Sequence, residues 1–489
     1  MVEQSYNPIV PVKVGNRRAS ARSGHGTHWR EGGSKRMNLL KGDMSRLRTR
    51  INMCTDIDRI AELAKEDPKR QFYSIAHLIT VEKLYEAFRS LRKNASAGID
   101  GVTYVEYEIS AEENVRQLHR RLVAGKYQVQ PLRRVYIPKE NGKQRPISIP
   151  SLEDKIVQKV VVDLMNAIYE QDFLNCSYGF RPGRSQHQAL DEVGRVICTR
   201  PTGWILELDI QSYFDKIVRG ILIEMVEKRV SDGSVLRLIQ KWIKVGVIED
   251  GELLMSETGT GQGQPISPLL ANIYLHHALD VWFEDVVKPR LKGEAYEIRF
   301  ADDAILCFQH REDAEKVMRV LPKRFEKYGL TLHPEKTRLI EFGRYAARSA
   351  EKQGKQPESF DFLGFKHLCA RSRKGGFTVH VKTIAKRLRR GLKAIADWCK
   401  QHRRTPVNEQ QAALNAKLRG HYQYYGRPTN YYSIKQFYRR VCRIWREWLG
   451  RRTRARPLTW DRYNAILRQH PLLKPRITHA WVVGAGSYA

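Results

Sequence analysis

Apolar positions along the chain switch repeatedly between a three-to-four-residue period and strict alternation, and the switches mark the elements. From Asp56 to Lys93, Ile57, Ile60, Leu63 and Ala64, then Ile75, Leu78, Ile79, Leu84, Phe88 and Leu91, recur at helical spacing. A Gly-bearing turn, Asn94 to Thr103, leads to another helix. Arg133 to Pro150 predicts two strands about an Asn141-Gly142 turn. Glu153 to about Phe173 predicts a helix with Ile156, Val157, Val160, Val161, Leu164 and Ile168 on one face. Trp204 to Leu208 alternates as a strand that ends at Asp209, and the following residues turn helical. Residues 258 to 272 form a Gly-rich loop that runs into a helix through Asp280. Ile298 to Phe308 is an apolar ribbon interrupted by Asp302 and Asp303, which predicts two strands with the carboxylates at or beside a tight turn. Val317 to Tyr328 predicts an amphipathic helix closed by Gly329.

The chain has 489 residues, too many for one core, and suggests roughly two to four domains. Charge changes the picture most. There are 86 Lys+Arg against 53 Asp+Glu, a formal +33, which points to a polyanionic partner and first to nucleic acid. No apolar run approaches the ~18 residues that a membrane span needs, and neither end carries a lipidation pattern, so no membrane partner is expected. Seven scattered cysteines without a Cys-x-x-Cys pair suggest neither a disulfide framework nor a zinc site, and fit a reducing cytosol. No signal-peptide core opens the chain. Residues 1–55 read as a basic, largely flexible extension. Residues 371–460 hold 24 Lys+Arg and 3 Asp+Glu, interleaved with Trp398, Tyr424, Tyr425, Tyr431, Tyr432, Trp445, Trp448 and other aromatics. A merely solvated face would carry both signs, so phosphate neutralisation and base stacking on RNA fit this stretch better.

Several stretches carry candidate chemistry, and each has two local readings. Asp302 and Asp303 beside buried strands are costly unless a cation sits there, which suggests a divalent metal; a solvated Asp-Asp turn is the bland alternative. Lys139 and Arg145 on the first hairpin could clamp a triphosphate or be solvated charges on a ribbon. Asp209 at a strand end suits catalysis or a helix cap. Three glycines between 259 and 263 permit close approach to a ligand, a weak signal alone.

Taken in order, the motifs resemble the group II intron-encoded reverse transcriptase/maturases. They are Ala97 to Thr103; Ile137-Pro138-Lys139 with Arg145-Pro146-Ile147; Tyr178 to Pro182; Asp209 to Asp215; Gln262-Gly263 through Leu275; Phe300-Ala301-Asp302-Asp303; and Phe362 to Phe365. Leu414 to Tyr425, with Leu418-Arg419-Gly420, looks like the maturase region. The likeness runs from about 60 to about 480. Three positions depart from the family pattern. Phe300 stands where Tyr is usual, Gly261 where Pro is usual, and Gln264 where Gly is usual. No Cys/His-rich endonuclease module follows, so second-strand cleavage is not expected.

The resemblance implies an α+β right-hand polymerase: fingers over 56–200, a palm with a ferredoxin-like antiparallel sheet over 201–366, and a helical thumb and basic maturase region over 367–489. It implies an RNA-directed DNA polymerase in which Asp209, Asp302 and Asp303, with the backbone of Ile210, hold two Mg²⁺ ions. Lys139, Arg145, Ile210, Phe214, Gln262 and Ala301 would contact the dNTP, Phe214 excluding a ribose 2′-hydroxyl, and Lys336 is a candidate proton donor to the leaving pyrophosphate. Arg387, Arg390, Lys417, Arg419, Tyr424, Arg439, Arg440 and Arg443 are the candidate RNA contacts. The implied partners are group II intron RNA, an RNA template with DNA primer, and target DNA, within a cytoplasmic, nucleoid-associated ribonucleoprotein. The alternatives are an RNA-binding splicing factor without polymerase activity and a domesticated or defence-associated reverse transcriptase.

Overall fold

The computed structural model describes residues 56–138, 144–249, 252–255, 258–372, 374–452 and 458–479. The basic extension, the Asn141-Gly142 turn and Lys139 lie outside them. Eleven strands among the described residues form three sheets, β1 to β11 in chain order.

The first sheet joins β1 (Leu132–Pro138), β2 (Gln144–Ile149), β4 (Val247–Glu249) and β5 (Glu252–Leu254) in the order β2-β1-β4-β5. β1 and β2 are antiparallel, as the sequence predicts, while β1 and β4 run parallel. After β2 comes the long helix Leu152–Asp172, whose Ile156, Val157, Val161 and Ile168 are fully buried. Ser151 accepts from the Asp154 amide and fixes its start. A helix over 56–66 is tied to the rest by Arg229, which donates to the carbonyls of Ala64, Asp67 and Arg70 while paired with Asp172. A guanidinium has enough donors to gather several chain ends at one buried point.

The second sheet is wholly antiparallel and contains the site. β3 (Trp204–Leu208), β6 (Ala295–Phe300), β7 (Asp303–Phe308) and β8 (Arg338–Glu341) lie in the order β6-β7-β3-β8. Helices separate β3 from β6 and β7 from β8, giving β-α-β-β-α-β along the chain. β7 is buried along its length after Asp303, which is why its residues read as one apolar run. The helix Arg311–Glu326 starts six residues before the apolar period predicts, because its first turn is polar and uses Asp313 to cap the Lys292 and Gly293 amides. The helix Ser267–Leu275 continues as π-helical turns over His276–Asp280.

The third sheet, β9 (Ser359–Phe362), β10 (Phe365–Arg371) and β11 (Phe377–Thr383), is a part that the sequence reading missed. Leu363 and Gly364 both have positive φ, +48° and +79°, the geometry of a tight hairpin turn. Beyond it the helices Ala385–Gln401, Val407–Tyr425 and Tyr431–Gly450 pack around Leu414, Leu418, Tyr422, Ile434, Val441 and Trp445. Arg427 is buried and paired with Asp191, and Asn430 bonds Thr383, so the helical layer is pinned to the Gln186–Thr199 helix and to β11. No helix among the described residues is long and apolar enough to cross a membrane.

Candidate catalytic and nucleic-acid site

Strand register brings the acids together. β3 pairs with β7 down to Leu208 opposite Ala304, so one further step sets Asp209 abreast of Asp303. The Asp209 backbone is held on its other side, where its carbonyl accepts from the His333 amide at 2.8 Å. Asp302 and Asp303 arrive from the turn between β6 and β7. Asp209 and Asp303 line one cavity of about 420 Å³ with Glu207, Lys336, Leu363 and Ile384.

Crowding marks this cluster electrically. Loss of hydration, then the charges of Asp302 and Asp209, push the Asp303 carboxyl up to about 7 against the pull of Arg387 and Lys336. Asp302 is also raised, first by desolvation, although Arg145 draws it down. Asp209, Asp302 and Asp303 together form a hard oxygen donor set and fit a divalent metal such as Mg²⁺. Lys336 reaches Asp209 Oδ2 at 2.8 Å, and its own loop is set by the pairing of Ile210 with Leu332.

The turn itself is held from behind. Gly179 carbonyl accepts from Asn272 at 2.7 Å, and a Cβ at Gly179 would stand 2.2 Å from the Ala301 nitrogen. Arg299, fully buried, grips Asp280 at 2.7 and 2.5 Å and donates to the Ala301 carbonyl at 2.9 Å. Ala301 is left-handed, φ +58°, and this grip keeps it there. Arg299, Asp280, Asn272 and Gly179 position the turn but were given no role from sequence, although Gly179 and Asn272 lie within the motifs that carry the resemblance. A charged residue inside an apolar strand was the available signal.

The other expected nucleotide contacts, Arg145, Ile210, Phe214, Gln262 and Ala301, are not among the residues that line this cavity. Arg145 is exposed on β2, within charge reach of Asp302. Phe214 is half-buried, and its carbonyl accepts from Thr260, which sets the Gly-rich loop beside it. The Gln262 carbonyl accepts from the Ser148 amide at 2.7 Å, so that loop also leans on β2. Ile210 and Ala301 are buried.

Arg387, Arg390, Arg419, Arg439, Arg440 and Arg443 are exposed on the C-terminal helices. Lys417 is half-buried, with its ammonium 5.4 Å from the centre of the Trp398 ring. Tyr424 is half-buried and donates to the Leu363 carbonyl at 3.0 Å, a contact that braces the β9–β10 turn. Arg387 acts on Asp303, so one expected RNA contact borders the acidic cluster.

Comparison with known proteins agrees with this geometry. Residues 137–367 match the family model described as reverse transcriptase (RNA-dependent DNA polymerase). The chain is 38% identical over 250 residues to Protein YkfC of Escherichia coli (strain K12), covering 50% of this chain and 64% of that protein. It is 30% identical over 302 residues to the group II intron-encoded protein LtrA of Lactococcus lactis subsp. cremoris, covering 59% of this chain and 50% of that protein. An uncharacterized 91 kDa protein in the cob intron of Schizosaccharomyces pombe is 29% identical over 307 residues, 60% of this chain and 37% of that protein. The chain thus spans less than two thirds of the length of these relatives. Residues 137–367 are therefore a reverse transcriptase segment by likeness to that family model, and the chain is similar to group II intron-encoded proteins.

Proposed function

We propose that this protein is an RNA-directed DNA polymerase of a group II intron that also binds intron RNA to promote splicing and mobility. The observation that carries the reading is the register that sets Asp209 abreast of Asp303, beside Asp302, in an open cavity. In this reading residues 56–200 are the fingers, 201–366 the palm built on the β6-β7-β3-β8 sheet, and the residues from 367 onward the thumb and maturase region.

Asp209, Asp302 and Asp303, with the Ile210 carbonyl, would hold two Mg²⁺ ions, which supply charge stabilisation at the reacting phosphate and activate the primer hydroxyl. The chain's residues do the rest. Lys139 and Arg145 bind the triphosphate, and Arg145 already faces Asp302. Phe214 stands under the sugar, where a ribose 2′-hydroxyl would meet its ring. Gln262 and the Ala301 backbone orient the nucleotide. Lys336, carried beside Asp209, is the proton donor to the departing pyrophosphate. The exposed arginines of the C-terminal helices neutralise phosphates of template, primer, target DNA and intron RNA. Splicing help of this kind needs only preferential binding to the active RNA fold.

Primer extension on an RNA template with Mg²⁺ and dNTPs tests the polymerase. Wild type extends the primer, and Asp302→Ala loses on the order of a thousandfold in rate. No product from wild type, or undiminished product from the variant, leaves a splicing factor without polymerase activity.

A further inference from the structure

The Gly-rich loop that carries Gln262 is anchored from inside by a side chain with no assigned role. Gln264 is 2% exposed, and both ends of its amide are used. Its Nε2 donates to the Trp242 carbonyl at 3.1 Å, and its Oε1 accepts from Gln158 Nε2 at 2.8 Å. Gln158, itself fully buried, accepts at Oε1 from the Ile266 amide at 3.4 Å, just before the Ser267–Leu275 helix. The chain of bonds continues through Trp242 Nε1, which donates to the Tyr127 hydroxyl at 3.3 Å, and through Tyr127 to Asp154. A buried polar network with its amides paired is rigid and specific in geometry.

The same amide explains a glycine. A Cβ at Gly261 would lie 2.8 Å from Gln264 Nε2 and 2.7 Å from Leu132 Cδ1. Gly261 has no need of an unusual backbone angle; it is small because Leu132 and Gln264 fill the space beside it. Its carbonyl accepts from Ser267 Oγ at 2.9 Å. Between these two residues, the Gln262 carbonyl is bonded to Ser148 on β2, the strand that carries Arg145. A Cβ at Gly263, φ +120°, would come within 2.6 Å of the Ser148 carbonyl, so loop and strand are in backbone contact.

We propose that Gln264 is a positioning residue for the incoming dNTP, fixing the Gln262 loop against the strand of Arg145, and that Gly261 and Gln264 act as one coupled pair. The proposal rests on the reading of Gln262 and Arg145 as nucleotide contacts. A polar anchor behind the loop sets where Gln262 sits before any nucleotide arrives, so its removal acts on nucleotide capture more than on the chemical step.

Steady-state primer extension at varied dNTP tests it. Gln264→Ala raises the dNTP KM about tenfold with kcat within about threefold, and primer-template affinity is unchanged. Gly261→Pro raises KM in the wild-type background, where a Cβ meets both the Gln264 amide and Leu132, and costs less in a Gln264→Gly background, where only the Leu132 side chain must give, so the cycle is non-additive. Thermal melting of wild type, Gly261→Pro, Gln264→Gly and the double variant, without substrates, reads the same coupling independently of activity. An unchanged dNTP KM in Gln264→Ala removes the positioning role, and additive melting shifts remove the coupling. A wild-type protein that extends no primer overturns the polymerase reading instead, and the melting cycle still decides the pair.

Discussion

Arg299 and Asp280 form a bidentate ion pair with neither side chain reaching water, and through it the turn bearing Asp302 hangs from the π-helical segment His276–Asp280. The remaining guanidinium nitrogen, Nη1, holds the Ala301 carbonyl and the Asn272 side chain, at 2.9 and 3.1 Å. Arg299→Met leaves a buried carboxylate without its partner, and about 3–5 kcal/mol of stability is lost in denaturant unfolding. Replacing both partners, Arg299→Met with Asp280→Leu, recovers most of that stability, since a buried pair has little net advantage over apolar packing. The double variant still extends primers poorly, because nothing then holds the Ala301 carbonyl. Full activity in a stable double variant would show that the turn needs no such tether.

Gly179 bears on the same turn from the other side. A methyl group there would stand 2.2 Å from the Ala301 nitrogen, and the obstacle is backbone that no rotamer change can move. Gly179→Ala therefore displaces the Ala301-Asp302 turn while leaving the hydrophobic clusters on either side intact. The expected outcome is a loss of about a hundredfold in primer-extension rate with a far-UV spectrum unchanged from wild type. A variant as active as wild type would mean that the turn has slack.

Acid should weaken the fold through histidines that are kept neutral. His367 is fully buried, its ring stacked on Phe360 at 4.5 Å, and burial followed by the nearby charge of Arg427 lowers its pKa to about 3. The unfolded chain takes up a proton at about 6.5, where the folded protein does not. Stability from this group is thus complete above that pH and falls as pH drops below it, by about 1.4 kcal/mol per pH unit. His276, lowered to about 4 mainly by burial, adds to the same trend. His367→Phe keeps the stacked ring and removes the proton site, so urea unfolding at pH 7.5 and pH 5.0 differs less in the variant than in wild type. An equal difference in both would mean that His367 is charged in the folded state.

What sequence makes legible here depends on whether the signal is local. Asp302 and Asp303 stand out because two carboxylates break an apolar run, and the Trp204–Leu208 strand is visible by its alternation. Their convergence is not local. It depends on the pairing of Leu208 with Ala304, nearly a hundred positions apart, and the sequence reading reached it by resemblance alone. β8 is four residues, Arg338–Glu341, with charges at both ends, too short to show a period. β11 does alternate, with Val379, Val381 and Thr383 turned inward, but the lysines and arginines around it drew attention to charge instead. Gln264 shows what sequence cannot reach. Its departure from the family pattern is visible in the sequence, but the partners of its amide, Gln158 and Trp242, are far away along the chain.

The basic helices can be tested by salt. Arg390, Arg440 and Arg443 are exposed on the Ala385–Gln401 and Tyr431–Gly450 helices. If each meets a phosphate of structured RNA, each releases about one counterion on binding. Replacing all three by Gln lowers the steepness of log affinity against log salt by about two to three, with little change in sequence preference. The control removes Arg311, Lys316 and Arg319 from the Arg311–Glu326 helix, which lowers net charge equally and leaves the slope near wild type. Equal effects from both sets would mean that the RNA responds to total charge, and the C-terminal helices would lose their special claim as the RNA-binding face.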